Sequence, residues 1–399
     1  MRNGLQYDSA MVHALVTGEV LKWARQRAGL TVDIVADKLK VTPEDVLEWE
    51  EDRGLPSFAK ARDLAKLLRV PFGYFFLEKP PHETVAIADL RRLGDDTAQA
   101  LGADFMAVYQ DAKNKQAWYR DHLIASGADE LDFVGSASIR DSAITVAQTI
   151  RETLGVDAEW RRGCPNWEAM FRGLVDKTET AGILVLRNSL VGNNTHRKLS
   201  VNEFRGFALS DGYAPLIFVN TGDSAAAQIF SLCHELVHIW INESAISNFG
   251  ISTSTEGYDP IEVFCNKVAA EFLVSQAEFR ERWNETLTLQ ENADALAREF
   301  KVSTIVIARR ALDLGRIDRG AYTAFVRAAT DAFEARQEAT HEKGSGGPDF
   351  YVMAKLRNSP TFARAVLREA FEGRLLLRDA GALLSVKPSK LRDLQREVG

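Results

Sequence analysis

Apolar positions recur at helical spacing through most of this chain. Val20-Leu21-x-x-Ala24 runs to Ala28-Gly29-Leu30, a glycine stop. Thr31 opens a second helix over Val32 to Leu39, and Thr42-Pro43 opens a third that runs to Trp49. Leu55-Pro56-Ser57 precedes a fourth, with Ala61, Leu64, Ala65 and Leu68 three and four apart, and Val70-Pro71 closes it. Pro80-Pro81 begins a stretch whose spacing predicts helices at 98–125, 138–154 and 165–181. The period then changes. Ile183-Leu184-Val185-Leu186, Phe204 to Leu209 and Leu216 to Val219 read as short strands. Helical spacing returns after residue 223, where no Pro or Gly interrupts residues 223 to 249. It resumes at 276–284, 289–299, 304–314 and 318–338, beyond a Ser/Thr/Asn/Gly-rich loop over 240–258. Lys343-Gly344-Ser345-Gly346-Gly347-Pro348 breaks the pattern as a linker. The reading is α+β, mostly α-helical, with boundaries at 1–79, 80–180, 181–340 and 341–399.

The returning helix carries His234-Glu235-Leu236-Val237-His238, an H-E-x-x-H run. Histidines four apart stack on one helical face, so both imidazoles can close on one Zn²⁺ per chain. Glu235, between them, is placed as general base. The bland alternative is a buried amphipathic helix whose histidines only make hydrogen bonds. A catalytic zinc takes three protein ligands, so a third must come from downstream. Asp259-Pro260 is a helix start, Glu262 follows in its first turn, and Asn266 lies one turn later on the same face, suited to orienting a ligand by hydrogen bonding. Glu262 is the expected third ligand. Glu271, nine residues on, is the competitor.

These residues resemble the ImmA/IrrE family of zinc metallopeptidases. The resemblance is carried by Pro215-Leu216-Ile217-Phe218-Val219-Asn220, by Gln228 through His238, and by Glu262-x-x-x-Asn266-x-x-Ala269-Ala270-Glu271-Phe272-Leu273, within residues 180 to 315. It implies His234, His238 and Glu262 as zinc ligands and Glu235 as base. It also implies a cytoplasmic bacterial regulator acting on a protein partner, often a DNA-binding repressor. Cys233 and Cys265 stand where the family has Ala, and Val268 where it has Phe. Two thiols therefore lie one and three residues from expected ligands. They read as small buried fillers, with a redox-sensitive metal site as the sharper alternative.

The first module, residues 16–79, resembles a helix-turn-helix domain of the repressor (XRE-like) class, with Trp49-Glu50, Pro56-Ser57 and the Val70-Pro71-x-x-Tyr74-Phe75-Phe76 exit in place. Its third helix should enter a major groove. That helix and its exit carry Glu44, Asp45, Glu48, Glu50, Glu51 and Asp52, which phosphate would repel. Arg25, Arg27, Lys38, Lys40 and Arg53 can still grip the backbone. Operator DNA through residues 16–79 and a protein-docking or dimerising role stay open together, and a homodimer would suit a palindromic operator.

Composition narrows the remaining choices. The 399 residues carry a net charge of −7, which gives no global pull toward nucleic acid or anionic membrane. No apolar run approaches a membrane span, and residues 1 to 10 lack a charged-then-apolar leader. Three cysteines without framework spacing fit a reducing cytoplasm. Trp118, Trp160 and Trp167 are expected as core anchors. His13, His82, His122 and His341 stand in no constellation, and the two-helix turn over Leu296 to Gly315, with Arg309-Arg310, reads as a packing appendage. Tyr258 and His196 are candidate oxyanion stabilisers. The Leu216–Asn220 strand or its neighbour is expected to hold substrate backbone by strand addition. The basic tail, residues 349 to 399, is taken as a solvated helical module. Two functions follow. One is a zinc endopeptidase acting on a specific protein, a transcriptional regulator for instance, or on its own linker. The other is an antitoxin and autorepressor that captures a toxin and binds its operator without proteolysis.

Overall fold

The computed structural model describes residues 13–28, 30–68, 70–81, 88–89, 102–247, 259–340 and 350–399. Gly29, His82, Tyr258 with most of its loop, His341 and the 343–348 linker lie outside the described residues. The chain divides into two compact units, one formed by residues 1–86 with 99–107, the other by 87–98 with 108–399.

The first unit is a small helical bundle: α1 (Gly18–Arg27), α2 (Val32–Leu39), α3 (Pro43–Glu50) and α4 (Phe58–Leu68), closed by a 3₁₀ turn at Phe72–Phe76. The caps are those the sequence predicts. The Thr31 side chain accepts from the Ile34 N–H, and Thr42 with Asp45 forms a capping box ahead of Pro43. Val20, Leu21, Ala24, Val35, Val46, Trp49, Leu64, Leu68 and Phe75 fill the core. α1 starts hard against the end of α3: a Cβ on Gly18 would stand 2.6 Å from the Glu50 carbonyl oxygen, and the Gly18 N–H donates to Asp52. The Arg25 guanidinium forms a two-pronged ion pair with the buried Glu50 carboxylate, at 2.6 and 2.8 Å. Part of the acidity of the third helix is thus engaged by the fold, with Glu50 buried. Glu50 is paired with Arg25, Asp45 caps, and Asp52 holds α1, while Glu44 and Glu48 are exposed.

The second unit opens with a two-residue strand, β1 (Ala88–Asp89), and takes in α5 (Ala103–Ala125) from Val108 onward, then α6 (Ala143–Leu154), α7 (Ala158–Gly163) and α8 (Trp167–Thr180). The strands β2 (Leu184–Asn188), β3 (Leu190–Val191), β4 (Asn194–Lys198), β5 (Gly206–Leu209) and β6 (Leu216–Asn220) follow, then α9 (Ala225–Trp240) and β7 (Ala245–Ser247). Next come α10 (Pro260–Leu273), α11 (Gln276–Arg282), α12 (Leu289–Phe300), α13 (Thr304–Asp313) and α14 (Arg319–Thr340). The chain finishes with α15 (Phe350–Arg357), α16 (Pro360–Phe371), α17 (Leu377–Leu384) and α18 (Leu391–Val398). The architecture is α+β and mostly helical. The five-stranded sheet has the order β1-β7-β5-β6-β2 and is mixed: β2 runs parallel to β6, and β5 antiparallel to both β6 and β7.

That order corrects the strand-addition expectation. β6 is paired on one side to β2 and on the other to β5, and β5 is itself paired to β7. β5 and β6 are therefore interior, and of the strands beside Leu216–Asn220 it is β2 that stands at the sheet edge. The 240–258 loop also proves partly regular, since β7 lies in it. Its Ala-Ile-Ser run is too short for periodicity to detect. α7, likewise, is only six residues long and capped by Asp157.

α9 lies on the sheet, its apolar side chains Ile229, Leu232, Leu236, Val237 and Trp240 inside one large core with α6, α8 and α10. Trp240 stacks on Phe133 with centroids 4.5 Å apart. Trp160 and Trp167 are half-buried against the same core, and Trp118 packs edge-on to Phe362, as expected of anchors. The two-helix appendage is tied in by Arg310, which is buried, pairs with Glu271 and donates to the Val274 carbonyl at 3.0 Å. The C-terminal helices are also joined to this unit. The Thr361 N–H and hydroxyl both donate to the buried Glu179 carboxylate, and the Arg357 guanidinium donates to the Gly192 carbonyl.

Arg25→Met would leave Glu50 buried without its counter-charge and should cost the first unit about 3–5 kcal/mol. Arg25→Met combined with Glu50→Leu should recover most of that. Denaturant titration checks both, and a single-variant loss below about 1 kcal/mol would mean that the pair contributes no more than a surface contact.

Candidate metal centre

Ser224 caps α9, its hydroxyl accepting from the Ala227 N–H, and three turns later the helix presents His234 and His238 on one face. Both side chains are fully buried. Their Nε2 atoms are 3.0 Å apart. α10 starts where Asp259 accepts from the Ile261 N–H and Pro260 fills the first turn, which sets Glu262 opposite the two imidazoles. Glu262 Oε2 is 3.4 Å from His234 Nε2, and Oε1 is 3.3 Å from His238 Nε2.

These separations suit a shared cation. Two donors each about 2.0–2.1 Å from one ion, at a tetrahedral angle, stand about 3.3 Å apart. The protonation states agree. Burial, opposed by the neighbouring Glu262, pushes His234 down to about 4. Burial pushes Glu262 up, but the charge and hydrogen bond of His234, then those of His238, outweigh it and hold the carboxyl at about 2. Both shifts favour a neutral imidazole beside an ionised carboxylate, the forms in which these groups ligate metal. Asn266 lies one turn along α10, and its Oδ1 is 3.1 Å from His234 Nδ1. An acceptor there makes Nδ1 the protonated nitrogen and leaves the Nε2 lone pair facing Glu262.

The position of Cys265 is one that the sequence reading left unresolved. His234, His238 and Cys265 also offer ligand atoms within 4.8 Å of one another. The Cys265 Sγ, however, is 3.9 Å from His238 Nδ1, the nitrogen on the far side of the ring from Nε2. One imidazole turns one nitrogen to an ion, and both Nε2 atoms turn to Glu262, so the carboxylate completes the tighter set. Burial also pushes the Cys233 and Cys265 thiols up, which keeps them protonated and inert and speaks against a redox-sensitive site. Glu271 is drawn off elsewhere: it pairs with Arg310 and accepts from the Gln276 N–H at 3.0 Å. His196 lies exposed on β4.

Glu235 is fully buried on the same turn of α9 and faces β5, where it meets Gly206. The sequence reading passed over Gly206. A lone glycine inside an apolar strand run, Phe204-Arg205-Gly206-Phe207-Ala208-Leu209, was the available signal, since it often marks a close approach.

Three family models match segments of this chain. Residues 178–312 match the peptidase family described as IrrE N-terminal-like domain, and residues 21–75 match the helix-turn-helix family. Residues 358–397 match a domain of unknown function. A search of curated proteins gave no match. The chain is therefore a fusion of an N-terminal helix-turn-helix domain to an ImmA/IrrE-like domain of metallopeptidase type. Among the described residues, no helix is long and apolar enough to cross a membrane.

Metal content separates the two candidate donor sets. Glu262→Ala should lose the bound metal, whereas Cys265→Ala should keep about one ion per chain by elemental analysis. The reverse pattern would assign the third position to the thiol. Asn266→Ala should weaken metal affinity about 10–100-fold.

Proposed function

We propose that the chain is a cytoplasmic regulator with zinc-dependent endopeptidase activity toward a specific protein, most simply a transcriptional regulator. The observation that carries this reading is the buried convergence of His234, His238 and Glu262 within the segment that matches the IrrE-like family. These three residues would hold one Zn²⁺, which polarises a scissile carbonyl and acidifies water. Glu235 takes a proton from the attacking water and delivers it to the leaving amine nitrogen. Asn266 fixes the His234 tautomer. Burial keeps bulk water from the base and strengthens every charge interaction around it.

The helix-turn-helix match supports DNA binding by the first unit. Burial of Glu50 in its ion pair with Arg25 removes part of the electrostatic objection to it. Exposed Lys38, Lys40 and Arg53 are the candidates for phosphate contacts, with Arg53 already engaged by Glu51.

Glu235→Gln should retain zinc and abolish cleavage, and used as bait it should co-purify with the uncleaved substrate. Cleavage at the wild-type rate by this variant would refute the assigned base. Stoichiometric capture of a partner by both forms, without cleavage by either, would favour the antitoxin function instead. Binding to the chain's own promoter DNA should weaken steeply with salt, and no binding at about 50 mM salt would exclude an operator role.

A further inference from the structure

β5 contains a glycine that its backbone does not require. Gly206 sits within the ladder, opposite Val219 on β6 and Ser247 on β7, and it is not among the glycines with left-handed φ. Any residue could adopt its conformation, and β-branched ones would favour it. Glycine there weakens the strand.

The cause lies across the interface with α9. A Cβ on Gly206 would stand 2.8 Å from Glu235 Oε1, 3.2 Å from Glu235 Cγ and 3.0 Å from the Phe218 carbonyl oxygen. The first two contacts are to one side chain, and that side chain is held in the interior. Glu235 is fully buried, and Leu232, Leu236 and Ile239 around it on α9 are fully buried as well. The Phe218 oxygen belongs to the β5–β6 ladder and is held by pairing. Among the described glycines, Gly206 alone has an atom of Glu235 among its nearest neighbours.

We propose that Gly206 is a positioning residue whose missing side chain forms the seat of the Glu235 carboxylate. The proposal rests on the reading of Glu235 as the general base. The atoms nearest a Cβ at 206 belong to Glu235 and Phe218 rather than to His234, His238 or Glu262, so a methyl group there acts first on the base and not on the metal donors. A chain with that change binds metal and fails at proton transfer.

The test uses the full-length chain as Gly206→Ala, Glu235→Ala, their double variant and Glu235→Gln, each melted and each loaded with Co²⁺ in place of zinc. Gly206→Ala should lower the main thermal transition by about 3–10 °C, as overpacking does. In the Glu235→Ala background the same change should cost less than half as much, because two of the three close contacts are gone. The cobalt-loaded Gly206→Ala chain should take up about one ion and show its visible band displaced in the same sense as in Glu235→Gln. An equal thermal cost in both backgrounds would overturn the proposal and leave Gly206 as plain helix–sheet packing. An unmoved cobalt band would overturn it as well. If no variant, nor the wild type, takes up cobalt, the peptidase reading fails, and the thermal cycle still decides whether Gly206 seats Glu235.

Discussion

The second unit depends on the packing of α9 against the sheet and α10. That contact removes two imidazoles and two carboxylates from water at one place. Ionisable groups in such surroundings must be neutral, paired or bound to a cation. His234 meets the demand by losing its proton, and Glu262 by facing both imidazoles at 3.3–3.4 Å. A divalent ion at this point would exchange a costly buried pairing for coordination. The site and the core are therefore one construction. Leu232, Leu236, Val237 and Trp240 hold the same helix whose opposite face supplies the donors.

Around this contact the molecule shows repeated use of arginine to finish helices. α10 delivers Glu262 from its first turn and ends in carbonyls that need donors. Arg151 from α6 donates to the Glu271 and Phe272 carbonyls, and Arg310 from α13 to that of Val274. Arg310 also pairs with Glu271, which nine residues of helix carry away from the metal cluster. The two-helix segment that carries Arg310 is in this sense a brace for α10, and through α10 for Glu262.

The C-terminal helices form the same kind of joint with α8 and the β3–β4 turn. Thr361 meets Glu179, Arg357 meets the Gly192 carbonyl, and the Asn193 side chain donates to the Ser385 carbonyl. A tail read as a solvated helical module is thus docked by polar contacts to α8 and the β3–β4 turn. Phe362 of the tail also packs on Trp118 and Tyr119 of α5, and the sequence could not show which element such an apolar residue would meet.

Much was legible in the residues themselves. The spacing of His234 and His238 put them on one face, and the Asp259-Pro260 start put Glu262 in a first turn, because helix geometry is local and needs no partner to be read. The same holds for Thr31, Thr42 and Ser57 ahead of their helices. Tertiary structure made the choices among equals. Glu262 meets the imidazoles, whereas Glu271 meets Arg310. Cys265 faces the back of His238 rather than the front. Leu216–Asn220 reads as an edge or an interior strand equally well until β2 and β5 are placed beside it. Gly206 has meaning only because a buried carboxylate one layer away occupies the volume of its absent side chain. Local spacing fixes which atoms can share a face, and only packing fixes what that face meets.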